Sequence, residues 1–307
     1  MTHTAPPTRP VTNLPIWDTV AAAYRSVLQD NIQYLPRAMV GPMALSLVIG
    51  LIDIGLAPGP NAEPGAPYML LSALISLLGM APYVIFAVAW HRLVLLGPQV
   101  AAPTAMPSWQ RRHWAFLAYS LLVSILFFGL LMIAGLIGGG FMAPMDGGLP
   151  AEPAGGGNLI RAMAAFALVL VSIMVLMRLS FVFPAIAVDE RYGLGDAWRH
   201  TQGQGLRLLA AVTLASLPFV ILLMLLSGLV VGALPDPNGG PADEPTGSGP
   251  GFLLLLVISV VVGYVWTAIG VSLLSIAFRT CSGWIPDTSG GPGSGPPANL
   301  GTNSTEE

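Results

Sequence analysis

Charged residues are scarce in this sequence, and lysine is absent from it. Only 9% of the residues are charged, whereas a water-soluble domain carries about a quarter. Hydrophobic residues make up 54%, so the solvent for most of the chain is lipid. All 12 basic residues are arginine, which fits a GC-rich bacterial source, and the formal net charge of -3 gives no indication of a nucleic-acid partner.

Cysteine and catalytic motifs are also scarce. The single cysteine, Cys281, excludes an intrachain disulfide and a multi-thiolate zinc site, and we interpret it as a small apolar residue near a helix end. The sequence has no HExxH motif, no Gly-x-Ser-x-Gly motif, no Walker loop and no paired carboxylates, and its histidines are scattered. We therefore predict that the protein is not an enzyme and that it binds no cofactor and no metal ion.

Long apolar runs make up most of the chain. Residues 1–13 lack the apolar core of a signal peptide, so we expect the first run to remain as a membrane anchor. An apolar run of about twenty residues is long enough to cross the hydrocarbon core as a helix. Such runs occur near residues 38–56, 68–90, 114–137, 162–183, 208–233 and 252–278.

These runs predict an all-α integral membrane protein with about six transmembrane helices, in a domain that covers residues 15–284. Residues 1–14 and 285–307 are rich in polar residues, proline or glycine, and we predict that both ends are disordered. The connections at residues 57–67, 138–158 and 234–251 are acidic and rich in glycine and proline.

The arginines predict the orientation of the spans. An even number of spans places both termini on one side of the membrane, and most arginines lie on that side. By the positive-inside rule that side is the cytoplasm, so we predict a multi-pass protein of the cell inner (plasma) membrane with both termini cytoplasmic. The arginines concerned are Arg25, Arg37, Arg92, Arg111, Arg112, Arg191, Arg199, Arg207 and Arg279.

An amphipathic segment precedes the first span. Apolar residues recur at helical spacing over residues 16–35, with polar residues such as Asp18 and Arg25 between them. We predict a cytoplasmic interfacial helix on the inner leaflet, with Trp17 and Tyr24 at the level of the headgroups. A cytoplasmic extension of the first span is the alternative interpretation of the same pattern.

The six spans pair into three hairpins that begin in a similar way. Residues 23–25 (AYR) before the first hairpin resemble residues 197–199 (AWR) before the third, and each returning span ends near an arginine. This pattern indicates three tandem helical hairpins. Aromatic residues and arginines gather at every cytoplasmic interface, which explains the same pattern without a repeat.

Arg178 is an ionisable residue inside an apolar run. It lies about two thirds of the way along the fourth span, between LVSIMVLM and LSFVFPAI. A charge at that depth is costly, and charges of this kind are often functional. Arg178 either snorkels to the inner headgroups and packs there, or anchors an anionic lipid phosphate or a substrate carboxylate.

A basic turn joins the second and third spans. His91 and Arg92 close the second span, and Arg111, Arg112 and His113 open the third. We predict that this turn contacts anionic lipid headgroups, with His91, Arg92, Arg111 and Arg112 as the candidate contacts. The positive-inside rule requires basic residues at this position in any case, so topology alone is the alternative explanation.

The run RLSFVFPAIAVDERYGLGDAWRHTQGQGLRLL at residues 178–209 resembles a pattern of bacterial multi-pass proteins of uncharacterised function. In them a span ends in a Pro-Ala-x-Ala turn, followed by an acidic residue, a short loop and an aromatic segment. They resemble the membrane domain of some glycerophosphoryl diester phosphodiesterases and YciC-like or Yip1-like domains. The resemblance implies a helical membrane module that handles lipids or supports a partner, without phosphodiesterase activity, because no segment here supplies the soluble barrel. The matching residues are Pro184, Ala185, Ala187, Asp189, Ala197, Trp198, Thr201 and Gly203.

Two functions remain open from the sequence. The first is a non-enzymatic inner-membrane protein that organises lipids, through anionic headgroups, or partners, such as a second copy or another membrane protein. The second is a small-solute or lipid transporter or channel, supported by Arg178 and by Pro42, Pro82, Pro184 and Pro218, which interrupt or end four spans. The spans contain few carboxylate or amide side chains, which argues against the second function.

Overall fold

A computed structural model describes residues 13–56, 65–105, 108–138, 156–233 and 250–286. Within these ranges the chain forms helices and contains no β-strand. Six helical segments are long and apolar enough to cross a membrane: Ile32–Leu56, Ala66–Leu96, Arg111–Ile137, Leu159–Ala187, Gly205–Ser227 and Leu254–Ser282. The protein is therefore an all-α multi-pass membrane protein, as the apolar runs predicted.

The helices are numbered in chain order. They are α1 Ile16–Arg25, α2 Leu35–Leu56, α3 Ala66–Leu96, α4 Pro98–Ala101, α5 Arg111–Gly138, α6 Gly156–Leu179, α7 Val182–Ala187, α8 Leu194–His200, α9 Gly205–Ala233 and α10 Pro250–Ser282. Most of the ends predicted to be disordered (1–14 and 285–307), and most of the acidic connections, lie outside the described residues.

The spans extend beyond their apolar runs at the ends that carry arginine. The second span was predicted to end near residue 90, whereas α3 continues to Leu96. A helix can continue there because its backbone hydrogen bonds are internal. Helix α3 then stops because Gly97 has a φ of 79°, which favours glycine, and Pro98 follows it.

The prolines affect the spans differently from one another. Helices α2, α3 and α9 continue through Pro42, Pro82 and Pro218, so the prediction that these prolines interrupt their spans is wrong. The fourth span does break, just before α7, which contains Pro184. Neighbouring helices stabilise a proline-containing span well enough for it to continue.

The amphipathic helix α1 packs on the bundle. Its buried residues Val20 and Ala23 belong to the same apolar core as residues of α9 and α10. The Leu14 N–H donates to Gln204 Oε1 (3.1 Å), and the Tyr24 hydroxyl donates to the Ala215 carbonyl (2.8 Å), so α1 runs alongside α9. Protein covers Val20 and Ala23 on the apolar face, whereas Trp17 and Leu28 remain exposed, and the location of this segment on the inner leaflet stays a prediction.

The three predicted hairpins correspond to direct contacts between consecutive spans. Helix α2 packs on α3, α5 on α6, and α9 on α10. Short helices that contain the similar AYR and AWR segments precede the first and third pairs, and the alanine of each segment is fully buried. An origin by duplication stays a prediction.

Polar side chains lie between α3 and α10. The Trp90 Nε1–H donates to Ser272 Oγ at 2.9 Å, and His91 Nδ1 lies 2.8 Å from Ser275 Oγ. A buried polar group is costly unless it is hydrogen-bonded, and each of these groups has a partner. This contact was not predicted, because a serine within an apolar run gives no indication of its partner.

Candidate functional site

Arg92 and Arg112 share one carboxylate at the arginine-rich end of the bundle. Arg92 lies near the end of α3, Arg112 in the first turn of α5, and Asp189 shortly after α7. Nη1 of Arg112 donates to Asp189 Oδ2 at 2.7 Å, and Nη1 of Arg92 donates to the same oxygen at 3.3 Å. Asp189 therefore joins the ends of three helices.

The backbone around Asp189 holds this carboxylate in place. Asp189 has a φ of 61°, a left-handed conformation that aspartate tolerates better than most residues. The N–H groups of Asp189 and Glu190 donate to carbonyls of α7 and close the helix. Nη1 of Arg92 also donates to the Ala187 carbonyl at 2.9 Å, which satisfies a carbonyl at the helix end.

A cavity of about 260 Å³ opens beside the two arginines, and we call it the basic cavity. Gln110 organises its wall: Gln110 Oε1 accepts from Arg112 Nε at 2.8 Å, and the Gln110 N–H donates to His113 Nδ1 at 2.9 Å. In a neutral imidazole the proton then lies on Nε2 of His113. The cavity is lined by Val88, Ala89, Arg92, Val100, Ala101, Ala102, Pro103, Thr104, Ser108, Gln110, Arg112 and His113.

The charges around the basic cavity do not balance. Two guanidinium groups and one carboxylate leave one net positive charge. The side chains of Arg92 and Arg112 are only 24% and 18% exposed, whereas that of Asp189 is 60% exposed. Among the described residues, Nη2 of neither arginine has a hydrogen-bond partner. The wall therefore offers unused N–H donors and positive charge to a phosphate or carboxylate.

Arg178 takes part in a separate contact and does not line the basic cavity. Its Cζ lies 3.5 Å from the centroid of the Trp198 ring. Its Nη2 donates to the Trp198 carbonyl at 2.7 Å, and its Nε donates to Thr201 Oγ1 at 3.2 Å. Arg178 thus ties α6 to α8, so part of its hydrogen-bonding capacity is used by the protein itself.

Gly205 allows the start of α9 to approach this contact. A Cβ at Gly205 would lie 3.0 Å from Met174 Cγ and 3.4 Å from Arg178 Cδ. A larger residue would require the Met174 or Arg178 side chain to shift by a few tenths of an ångström. The stem of Arg178 therefore lies against the start of α9 as well as between α6 and α8.

The remaining predicted site residues lie outside the basic cavity. His91 is 1% exposed and bonds to Ser275 on α10, so it belongs to the polar contact between spans. Arg111 is exposed and does not line the cavity. Of the five predicted residues, the structure brings Arg92 and Arg112 together and places Arg178, His91 and Arg111 elsewhere.

Asp189 and Gln110 were not predicted as members of the site. Asp189 appeared only as the acidic residue that follows the Pro-Ala-x-Ala turn. Its position at the arginine-rich end of the spans could have indicated its role. Most arginines of that end have no acidic neighbour in the sequence, so a nearby carboxylate is a candidate partner for them. Gln110 gave no signal, since its role depends on the turn that places it beside Arg112 and His113.

No protein-family model, curated protein or solved structure matches this chain. The resemblance to the membrane domain of glycerophosphoryl diester phosphodiesterases and to YciC-like proteins therefore stays a prediction. The geometry and charge of the basic cavity are therefore the basis for the proposed function.

Proposed function

We propose that this protein is a non-enzymatic inner-membrane protein that binds the anionic headgroup of a membrane lipid in the basic cavity. The supporting observation is that Arg92 and Arg112 line this cavity and share a single counter-ion, Asp189. A lipid phosphate would balance the remaining charge, and its oxygens match the planar fork of a guanidinium. By holding such lipids the protein would organise the membrane around itself or around a partner protein.

The proposed orientation brings the basic cavity to the cytoplasmic leaflet. The cavity lies where α3 ends and α5 begins, next to Arg111 and Arg112. The positive-inside rule assigns this end of the spans to the cytoplasm, together with both termini. That leaflet attracts basic groups through its anionic lipids, so the proposed ligand is abundant at the site.

The residues of the cavity support binding rather than a reaction. A general base needs an acceptor atom free to take a proton from a substrate. Nδ1 of His113 already accepts from the Gln110 N–H at 2.9 Å, and Asp189 Oδ2 accepts from two arginines. Nδ1 of His113 and Oδ2 of Asp189 are thus engaged in holding the turn and the arginines.

A transporter is the second candidate function, and Asp53 supports it. Oδ1 of Asp53, in α2, is buried and has no hydrogen-bond partner among the described residues. Carboxylates in spans often mark the path of a proton or cation. Proteoliposomes loaded with a pH-sensitive dye would detect a proton flux; this function requires a flux above that of empty vesicles that Asp53→Asn removes.

The headgroup proposal is tested by lipid binding with two adjacent arginines. Purified protein in mild detergent is titrated with dioleoyl-phosphatidylglycerol and with dioleoyl-phosphatidylcholine, and bound lipid is counted by native mass spectrometry. Arg112→Gln removes an arginine of the cavity, whereas Arg111→Gln removes the exposed neighbour and changes the net charge equally. Size-exclusion chromatography confirms that both variants remain folded.

We expect phosphatidylglycerol to bind more tightly than phosphatidylcholine. Arg112→Gln should weaken its binding about tenfold or more, because a charged hydrogen bond contributes roughly 1.5–3 kcal/mol. Arg111→Gln should change it little. Equal binding of the two lipids, or equal effects of the two variants, would overturn the proposal and leave the arginines as topology signals.

A further inference from the structure

A second cavity of about 510 Å³ lies between α3, α5 and α10, and we call it the apolar cavity. Small side chains and glycine at Gly79, Ala87 and Ser120 leave this space, and Val84, Phe116 and Thr267 border it. The Thr267 hydroxyl donates to the Gly263 carbonyl of its own helix at 2.8 Å, so it needs no polar ligand. Met80 and Tyr83, which also line the cavity, are not fully buried, so lipid chains can reach it from the side.

The two cavities follow one another along the contact between α3 and α5. On α5, Arg112 lines the basic cavity, and Phe116 and Ser120, one and two turns further, line the apolar cavity. On α3, Val88 lines the basic cavity and Val84, one turn earlier, lines the apolar cavity. The same pair of helices therefore borders a charged space at the membrane surface and an apolar space below it.

The apolar cavity begins at the depth of one leaflet and continues beyond it on α3 as far as Ser76, sixteen residues before Arg92, a rise of about 24 Å. Ser120 follows Arg112 by eight residues, a rise of about 12 Å along the helix. Tyr83 precedes Arg92 by nine residues, a rise of about 14 Å. The hydrocarbon core is about 30 Å thick, so the chains of one leaflet extend over about 15 Å. A lipid with its headgroup beside the arginines would have its chains at this depth.

We propose that one anionic phospholipid occupies both cavities, with its phosphate beside Arg92 and Arg112 and an acyl chain between α3, α5 and α10. This inference rests on the proposed headgroup site and names its ligand class. The guanidinium groups select the phosphate by charge, and the walls of the apolar cavity hold the chain by van der Waals packing, because a chain within lipid gains no hydrophobic transfer energy. A free phosphate or a short-chain headgroup would use only half of the site.

The experiment compares phosphatidylglycerols that differ only in chain length. Dioleoyl-phosphatidylglycerol and dihexanoyl-phosphatidylglycerol are titrated separately, in the same detergent, onto the unmodified full chain. Each lipid is then titrated onto the Ser120→Phe variant in the same way. This variant fills the apolar cavity and leaves the basic cavity unchanged. Ala118→Phe is the matched control, because Ala118 is an exposed residue of the same helix and lines neither cavity.

We expect the long-chain lipid to bind about tenfold more tightly than the short-chain lipid, since about ten packing contacts of about 0.15 kcal/mol each between chain and cavity wall amount to that factor. Ser120→Phe should reduce long-chain binding about tenfold and spare short-chain binding, whereas Ala118→Phe should spare both. Ser76→Phe fills the cavity from α3 and should act like Ser120→Phe, which covers the case that Ser120→Phe does not fold.

The possible failures are distinguishable. If both phosphatidylglycerols bind equally well and Ser120→Phe has no more effect than Ala118→Phe, the apolar cavity holds no chain and only the headgroup site remains. If neither phosphatidylglycerol binds better than phosphatidylcholine, the headgroup site is wrong and this inference fails with it.

Discussion

Arg112 and Asp189 lie 77 residues apart in the sequence, and Nη1 of the arginine lies 2.7 Å from Oδ2 of the aspartate. The same oxygen accepts from Arg92 at 3.3 Å. The ends of α3, α5 and α7 thus meet at a single anionic oxygen, which opposes the positive charge of the basic cavity. This relationship makes Asp189 a competitor of any anionic ligand.

Asp189→Asn should therefore increase the affinity for phosphatidylglycerol, because two guanidinium groups lose their counter-ion. The ion pair is partly exposed, so the free energy of unfolding should fall by no more than about 1 kcal/mol. Native mass spectrometry measures the first effect and thermal unfolding in detergent the second. An unchanged or weaker affinity would show that the carboxylate does not oppose the ligand.

Asp189→Ala tests the effect of the backbone conformation at this position, whereas Asp189→Asn tests the effect of the charge. It removes the same carboxylate but places alanine at a φ of 61°, which costs roughly 1–2 kcal/mol more than a residue that tolerates this conformation. We expect Asp189→Ala to unfold at a lower temperature than Asp189→Asn. Identical unfolding temperatures would mean that the turn relaxes and that the backbone contributes nothing.

Arg178 should act through packing on Trp198. Lysine keeps the charge but loses the planar stack and the two donors, so Arg178→Lys should lose most of the stability that Arg178→Ala loses, about 1–2 kcal/mol. Arg191→Ala is the control, because Arg191 is an exposed arginine in the loop before α8. Thermal unfolding measures all three, and a lysine variant as stable as the unmodified protein would mean that only the charge matters.

The contact between His91 and Ser275 should stabilise the packing of α3 on α10. Ser275→Ala leaves a buried imidazole nitrogen without its partner, which costs about 1–3 kcal/mol. Ser227→Ala is the matched control, because this exposed hydroxyl donates to the Met224 carbonyl of its own helix and to no other helix among the described residues. Chemical or thermal unfolding compares the two, and equal stability would show that another group satisfies the imidazole.

Asp196 makes the start of α8 sensitive to acid. Asp196 Oδ2 accepts from the Gly193 N–H at 3.0 Å and Oδ1 accepts from Arg199, and these bonds lower the pKa of the carboxyl below its usual value of 3.8. Because the pKa is lowered on folding, the Asp196 carboxylate contributes to the free energy of unfolding above pH 3.8. That contribution is lost as the pH falls through the pKa that the carboxyl has in the folded protein.

Asp196→Asn should therefore reduce thermal stability at neutral pH, by about 1 kcal/mol or less because the group is partly exposed. The difference between the variant and the unmodified protein should shrink at acidic pH, where both side chains are uncharged. A difference that stays constant from neutral pH down to pH values below 3.8 would contradict the role of the carboxylate.

The sequence predicted the arginines of the site but not the residues that bond to them. Arg92 and Arg112 were recognised because arginines that flank two consecutive spans lie near one another in any hairpin topology. Asp189 was not recognised as their partner, because nothing in the sequence says that α7 packs against α3 and α5. Arg178 was placed correctly within its span, but its partners Trp198 and Thr201 depend on where α8 folds back.

The sequence by itself determined the solvent, the number of spans and the helical class, because the cost of an unpaired backbone group in lipid makes every long apolar run a helix. Only the tertiary structure decided which polar residues meet. The residues that meet come from segments far apart in the chain. Examples are α1 and α9, Trp90 and His91 with their serines on α10, and Arg92 and Arg112 with Asp189. Their partners depend on how the helices pack, and the helical pattern of each segment contains no record of that packing.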